Sequence, residues 1–280
     1  MKNLLKDTLE CSRVLLWSVY KSLRTITRGE RAHFVQEPEE EVIILGNGPS
    51  LNDIDLNKLR QTSLKIACVN YFPTRNPSFF TIKPEYLILF DPLFYPVNGQ
   101  LIPEAKELYE VLEKVDWDMT IVCLQGGKIS LQNPRISFER ITDSILNSDR
   151  MTRYLDCLYH RNLLCIGMQN VVIGAGFYFV CKKVRRIYFS GVDMSEFKML
   201  FVDEENRVYV DAVHSYGTER RYSTIIQKGE FYRLLGMYQG MFKEFHFLSA
   251  FAKRSGVDVI NLSLCSYIDV FAKKRMFEKE

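Results

Sequence analysis

Residues 39–55 read EEEVIILGNGPSLNDID. A wholly apolar run, Val42 to Leu45, passes directly into Gly46-Asn47-Gly48-Pro49-Ser50 and then into a segment patterned as a helix. A short apolar run bounded by glycine fits a strand buried on both faces. Glycines permit positive φ and close backbone approach, Pro49 suits the first turn of a helix, and Ser50 with Asp53 three residues on has capping-box spacing. Free N–H groups at such a helix start attract an anion, most simply a phosphate. The pattern is not G-x-G-x-x-G, and G-x-x-x-x-G-K-[ST] occurs nowhere, so neither the dinucleotide fingerprint nor the Walker loop is present. A tight turn that holds no ligand is the plain alternative.

Working outward, short apolar runs alternate with longer amphipathic segments. The patterns predict strands over 42–46, 65–70, 86–91, 119–124, 163–166, 186–191 and 257–262, and helices over 53–60, 103–115, 140–159, 171–183 and 230–255. Such alternation predicts an α/β fold, a Rossmann-like, mainly parallel sheet covered on both faces. Residues 201–221 break it: FVDEENRVYVD has a hairpin pattern and AVHSYGTERRY is polar and aromatic, which predicts a lid or acceptor loop over about 197–225. Ligands of parallel sheets bind beyond the carboxyl ends of the strands. The residues there are Gly46 to Ser50, Asn70, Asp91 and Asp193, with Gln169-Asn170 shortly after the fifth predicted strand.

The 280 residues, 47% hydrophobic and 25% charged, are enough for one globular domain with appendages. Seven cysteines without C-x-x-C or Cys/His metal spacing point to a reducing compartment, and to neither zinc nor a disulfide scaffold. The chain has no long uncharged apolar run and no signal-peptide pattern, so a cytoplasmic protein is expected. Residues 1–31 carry seven basic side chains against three acidic ones, a net +4 where the whole chain has +3. Leu5, Leu9, Leu16, Tyr20 and Leu23 recur there at helical spacing, which predicts a basic amphipathic helix. Residues 1–38 are thus a leader helix and linker, and 39–280 the α/β domain. The leader fits an anionic inner-membrane surface, its own domain, or a second copy in a homo-oligomer. Nucleic acid is not an expected partner, since no basic stripe with interleaved aromatics occurs in the body.

GNGPSLNDID, the Asn ending ACVN, IYFSGVD and the later His-Ser-Tyr-Gly element together resemble the bacterial sialyltransferases of glycosyltransferase family 42. VNYF, IKPEYLILFDPLFY, MQNVV, SGVD and VINLSLCSYIDVF also resemble polysaccharide-biosynthesis proteins grouped with hydroxymethylpterin-pyrophosphokinase-like sequences. The likeness runs from about Val42 to Phe271. It implies a GT-A-variant nucleotide-binding domain with a lid, taking a CMP-linked acidic sugar as co-substrate, with no cofactor and no metal. Asn47 and Ser50 would then lie by the donor's nucleotide and phosphate, and Asn70 would bind the donor. Two positions depart from the family: Asp91 stands where it tends to have Asn, and Met168-Gln169-Asn170-Val171-Val172 replaces an Arg-Ile-Thr-Ser-Gly element, removing the arginine.

His214 is the candidate base for an acceptor hydroxyl, because an ordinary imidazole titrates near working pH. Stabilisation of the leaving phosphate falls to backbone N–H groups of Gly48 to Ser50, to Asn170, and to the hydroxyls of Tyr216 or Tyr222. The plain alternative is a surface-loop histidine. The remaining donor-side candidates are Gly46, Pro49, Gln169, Asp91 and Asp193. His246 is expected to be a packing residue, and the Met and Phe stripe over 237–251 to be core. The resemblance implies a glycosyltransferase of surface polysaccharide, using a nucleotide-sugar donor and a glycan or lipid-linked acceptor. The alternatives are an ATP- and Mg²⁺-dependent diphosphokinase of a pterin-like substrate and a non-catalytic nucleotide-binding subunit.

Overall fold

A computed structural model of the chain describes residues 34–143, 152–222, 226 and 228–277, with the single positions 12, 13, 16, 20, 145 and 279. The expected leader helix lies almost wholly outside the described residues, as does the middle of the expected helix over 140–159. The first half of the chain contains β1 (Glu41–Leu45), a 3-10 turn (Pro49–Asp53), α1 (Leu56–Arg60), β2 (Lys65–Val69), α2 (Phe72–Arg75), α3 (Phe79–Ile82) and β3 (Tyr86–Leu89). A 3-10 turn (Pro92–Phe94), α4 (Pro103–Leu112), β4 (Met119–Leu124), β5 (Ile136–Ile141) and α5 (Thr152–His160) follow. The remainder is α6 (Val171–Cys181), β6 (Arg186–Ser190), a 3-10 turn (Glu196–Met199), β7 (Leu200–Val202), β8 (Val208–His214), β9 (Gly217–Tyr222), α7 (Phe231–Ser255), β10 (Asp258–Asn261) and β11 (Ala272–Lys273).

Eight strands form one sheet in the order β11-β10-β6-β1-β2-β3-β4-β5, and every neighbouring pair is parallel. The chain winds outward from β1 to β5 and then returns to the other side of β1 as β6. A switch point therefore separates β1 from β6, and both open toward the same end of the sheet. Period-two alternation sends Val42 and Ile44 to the layer under α6 and α7, and Ile43 and Leu45 to the layer under α1, α3 and α4. Ten of the eleven residues of α6 are buried, as a helix apolar all round must be, between the sheet and α7.

The expectation for the fifth strand is corrected. The apolar run over 163–166 makes no strand: its residues are buried in an irregular segment, with one bridge from Cys165 to Ile145. The strand is instead β5, ISFERI, whose polar character suits a sheet edge paired on one side only. The stretch AVHSYGTERRY, expected to be part of a lid loop or hairpin, belongs to β8 and β9 of a separate three-stranded antiparallel sheet, β7-β8-β9.

The segment ahead of β1 is docked. Phe34 sets its ring edge against Tyr178 at 5.6 Å, and the Glu37 N–H donates to the Lys182 carbonyl at 2.8 Å. Lys182 is itself buried. Its ammonium meets Glu37 at 3.0 Å, Glu139 at 3.3 Å and the Tyr178 hydroxyl at 3.2 Å, over the rings of Tyr86 and Tyr178. His160 joins three helix ends, with Nδ1 3.1 Å from the Cys181 carbonyl and Nε2 3.1 Å from Ser255 Oγ, and burial lowers its pKa. His246, expected to pack, is exposed.

Phe251 lies at the centre of the α5-α6-α7 contact, with its ring 5.5 Å from Tyr159, 5.6 Å from Phe177 and 5.3 Å from His160. Phe251→Ala is expected to cost about 3–5 kcal/mol through the cavity it leaves. Urea unfolding should show a lower midpoint at unchanged slope.

Candidate active site

At the switch point the loops after β1 and β6 cross at contact distance. A Cβ on Gly46 would strike the Gly191 carbonyl oxygen, and one on Gly48 would strike Asp193 Oδ2. Gly191 has φ +68°, and its Cβ would stand 2.6 Å from Gly46 O and 2.9 Å from Leu51 Cβ. The backbones are tied by Gly46 N–H to Ser190 O at 2.7 Å and Gly48 N–H to Gly191 O at 2.8 Å. Ser50 N–H donates to Asp193 Oδ2 at 3.1 Å.

These bonds correct the expectation for the opening turn. Gly48 and Ser50 have already spent their N–H groups and Pro49 has none, so this turn offers a phosphate no donor from those three residues. The anion at the helix start is the protein's own Asp193 carboxylate. Nor does Ser50 cap: its hydroxyl donates to Ser263 Oγ at 2.7 Å, Gly48 is the N-cap residue, and Asp55 caps α1. Ser263 Oγ also accepts Val192 N–H at 3.0 Å, and Ser266 Oγ donates to Val192 O at 2.7 Å. A buried polar floor from the loop after β10 thus supports Gly191 to Asp193. Burial pushes the Asp193 carboxyl up, and the Ser50 hydrogen bond works against that.

Beyond this crossing lies a cavity of about 600 Å³. Its lining brings together ten of the predicted residues: Asn47, Gly48, Pro49, Asn70, Asp91, Gln169, Asn170, Asp193, His214 and Tyr216. Gly46 and Ser50 do not line it and serve the crossing instead. The backbone of Tyr222 pairs with Tyr209 at the end of the hairpin remote from the tip.

Each polar group on the wall is placed by local structure. Asn70 ends β2 at φ +51°, and its Oδ1 is buried without a hydrogen-bond partner. Asp91 caps the turn Pro92–Phe94 through Leu93 N–H at 2.9 Å. Asn170 caps α6 through Val172 N–H at 2.9 Å, which turns the positive end of an eleven-residue helix toward the cavity. His214 ends β8 and stacks on Tyr216, with ring centroids 4.9 Å apart and planes 16° from parallel.

The long helix α7 contributes what the sequence reading missed. Tyr238 and Met241 line the cavity, although the methionine and aromatic stripe there was expected to be wholly core. Burial, with Glu196 beside it, pushes the Tyr238 phenol up to about 12. Glu244 accepts Gln169 N–H at 3.1 Å, and burial raises its carboxyl from an ordinary 4.5 to about 7. Gly240, one turn earlier, leaves room for the Gln169 amide, which would lie 2.9 Å from a Cβ. No sequence signal marks Glu244, because its partner is a backbone N–H 75 residues away. Among the described residues, no group of three or more His, Cys, Asp and Glu side chains is gathered as for a metal ion, and no helix is long and apolar enough to cross a membrane.

No protein-family profile matches the chain, and no curated protein matches it in sequence. Among solved structures it is similar to the monofunctional α-2,3-sialyltransferase Cst-I from Campylobacter jejuni at 12% identity, covering 88% of this chain and 84% of that one, with a TM-score of 0.47. It is also similar to the sialyltransferase CstII from Campylobacter jejuni in complex with the substrate analogue CMP-3FNeuAc, at 15% identity over 86% of this chain and 89% of that one, with a TM-score of 0.43. For CST-II in complex with a trisaccharide acceptor and CMP the values are 14%, 86%, 91% and 0.44.

Two outcomes are expected from the geometry. Gly191→Ala should destabilise by about 2–3 kcal/mol, because it combines a left-handed φ with a backbone clash. Gly99→Ala, at φ +79° with nothing within 4 Å of its Cβ, should cost about 1 kcal/mol, and thermal unfolding of both measures the difference. Glu244 gives a pH dependence. A carboxyl raised in the folded state contributes stability while protonated, and this is lost as pH rises from 4.5 through about 7. Glu244→Gln keeps the acceptor for Gln169. It should match the parent at pH 4 and exceed it by about 1–2 kcal/mol at pH 8 in urea unfolding, the figure allowing for partial solvent screening.

Proposed function

We propose that the chain is a glycosyltransferase of bacterial surface-polysaccharide assembly, such as capsule, O-antigen or lipooligosaccharide. It moves a sialic-acid- or Kdo-like sugar from a CMP donor to a glycan hydroxyl, with inversion and without a metal. One observation supports this most: a single cavity at the switch point gathers His214, the Asn170-capped start of α6 and the unmet Asn70 acceptor. His214 and Asn70 lie in segments that resemble the sialyltransferases, and Asn170 in one that resembles the polysaccharide-biosynthesis group but departs from the sialyltransferases.

In this reading the acceptor oxygen attacks the anomeric carbon as His214 takes its proton. The bond from that carbon to the phosphate oxygen breaks, and its electron pair leaves with CMP. The leaving group meets the partial positive charge at the start of α6 and the hydroxyls of Tyr216 and Tyr238, which replaces the N–H cradle expected at Gly48 to Ser50. Asn70 Oδ1 accepts from an amino or hydroxyl group of the donor, which relieves a buried acceptor that is costly while unmet. Asp91 and Asp193 accept from hydroxyl or amino groups of the nucleoside or sugar. The basic leader of the sequence reading places the enzyme in the cytoplasm at the inner membrane face, beside lipid-linked acceptors. The pterin diphosphokinase reading needs carboxylates gathered around Mg²⁺ and triphosphate, and no such gathering occurs among the described residues.

The test is a thermal-shift titration with CMP, CDP, UDP, GDP and ATP, each with Mg²⁺ or EDTA. CMP should raise Tm equally in both. A shift with ATP and Mg²⁺ alone would move the assignment to a kinase, and no shift at all to a subunit without donor binding. His214→Ala should keep the CMP shift and lower CMP-sugar turnover about 10²- to 10⁴-fold. Unchanged turnover would remove His214 as the base.

A further inference from the structure

Asn52 belongs to the LND tail of the opening motif, is exposed, and has no part in the cavity wall. Its side chain nevertheless reaches across 163 positions of sequence to the tip of the β8-β9 hairpin, where Nδ2 donates to the Ser215 carbonyl at 3.0 Å. The same peptide is engaged at its other end, since Ser215 N–H donates to the Asn47 carbonyl at 2.8 Å. Asn47 precedes the turn Pro49–Asp53 and Asn52 lies within it, so both polar backbone groups of Ser215 are fixed to the frame of the β1-β6 crossing.

The position of this peptide matters because of its neighbours. His214 precedes Ser215 and Tyr216 follows it, and consecutive Cα atoms lie about 3.8 Å apart. Val208, at the start of β8, is buried, whereas the described side chains from Tyr209 to Thr218 are half-buried or exposed, and among the described residues β9 pairs with β8 alone. Of these two bonds of Ser215, the one to Asn47 is backbone to backbone and would form with any residue at 47. The one from Asn52 is specified by the sequence. An aspartate there would present only oxygens to the Ser215 carbonyl.

We propose that Asn52 is a positioning residue, a latch that fixes the Ser215 peptide and through it holds His214 and Tyr216 at the cavity. The catalytic consequence rests on the transferase reading, whereas the latch itself does not. The exposed hydrogen bond is of ordinary strength, so its loss should raise the open population of the tip about tenfold.

The test uses full-length Asn52→Asp and Asn52→Ala, each first shown to keep the parent unfolding midpoint within 2 °C. Hydrogen–deuterium exchange should be about tenfold faster at the Ser215 amide in both, with β1 and α7 unchanged. In the same variants the CMP thermal shift should persist, while kcat for transfer falls about five- to tenfold and the donor KM stays constant. Unchanged exchange at Ser215 in both variants overturns the latch. Faster exchange with unchanged kcat overturns the positioning role. If the parent turns over no CMP-sugar, the transferase reading fails, and the exchange result still decides whether Asn52 holds the tip.

Discussion

The crossing of two loops at the end of the sheet sets most of what surrounds it. Gly46 and Gly191 pass so closely that neither has room for a Cβ, and Gly48 repeats the constraint two residues along against Asp193. The contact locks β1 to β6 where the strand order reverses, and a parallel sheet leaves an opening at that place because successive crossovers diverge on either side of it. Three consequences follow from one contact. The Asp193 carboxylate is carried to the start of the turn Pro49–Asp53, Ser50 is turned down toward Ser263, and Asn47 and Asn52 face the hairpin tip. A cavity built this way has a rigid rear wall made of backbone. Its side chains come from the loops after the strands, the hairpin tip and the helices α6 and α7.

The strand-helix alternation was legible because both faces of the sheet are covered. Buried strands such as VIIL, KIACV and YLIL leave uninterrupted apolar runs, and they were found within a residue or two. Failures came where burial and strand character part company. Residues 163–166 are as apolar as a strand and fully buried, yet they follow an irregular path into the loop that carries Gln169 and Asn170. ISFERI is a strand with a polar pattern because it closes the sheet edge, so most of it was left unassigned and its last two residues fell inside the helix expected over 140–159. Periodicity reports burial, and only indirectly backbone conformation.

The cavity residues were legible for a different reason. A list of polar residues just past the strands succeeds in a parallel sheet because topology brings all those ends to one side, whatever the residues do there. Their roles were less legible. Ser50 and Gly48 looked like donors to a phosphate, since an N–H count at a helix start assumes that no internal carboxylate has arrived first. That carboxylate comes from Asp193, 143 positions away. Glu244 and Asn52 went unnoticed for the same cause: each acts on a backbone group, and a backbone group leaves no mark on the sequence.

The two ends of the sheet have different physical characters. At the amino ends of the strands, Lys182 is buried and fully engaged by two carboxylates, a hydroxyl and two aromatic faces, while His160 bonds through both ring nitrogens. Such satisfied groups cannot take a ligand without giving up a partner, and breaking one member of a buried ion pair is costly. Their effect is to fix the segment Phe34 to Glu41 against α6. At the carboxyl ends the polar groups face a cavity. Asn70 leaves an acceptor unmet and Asp193 is buried at the price of a raised pKa. Buried polar atoms without a partner also occur at the amino ends, at Tyr159 Oη and Arg186 Nε, but Asn70 and Asp193 line the cavity, where another molecule can satisfy them.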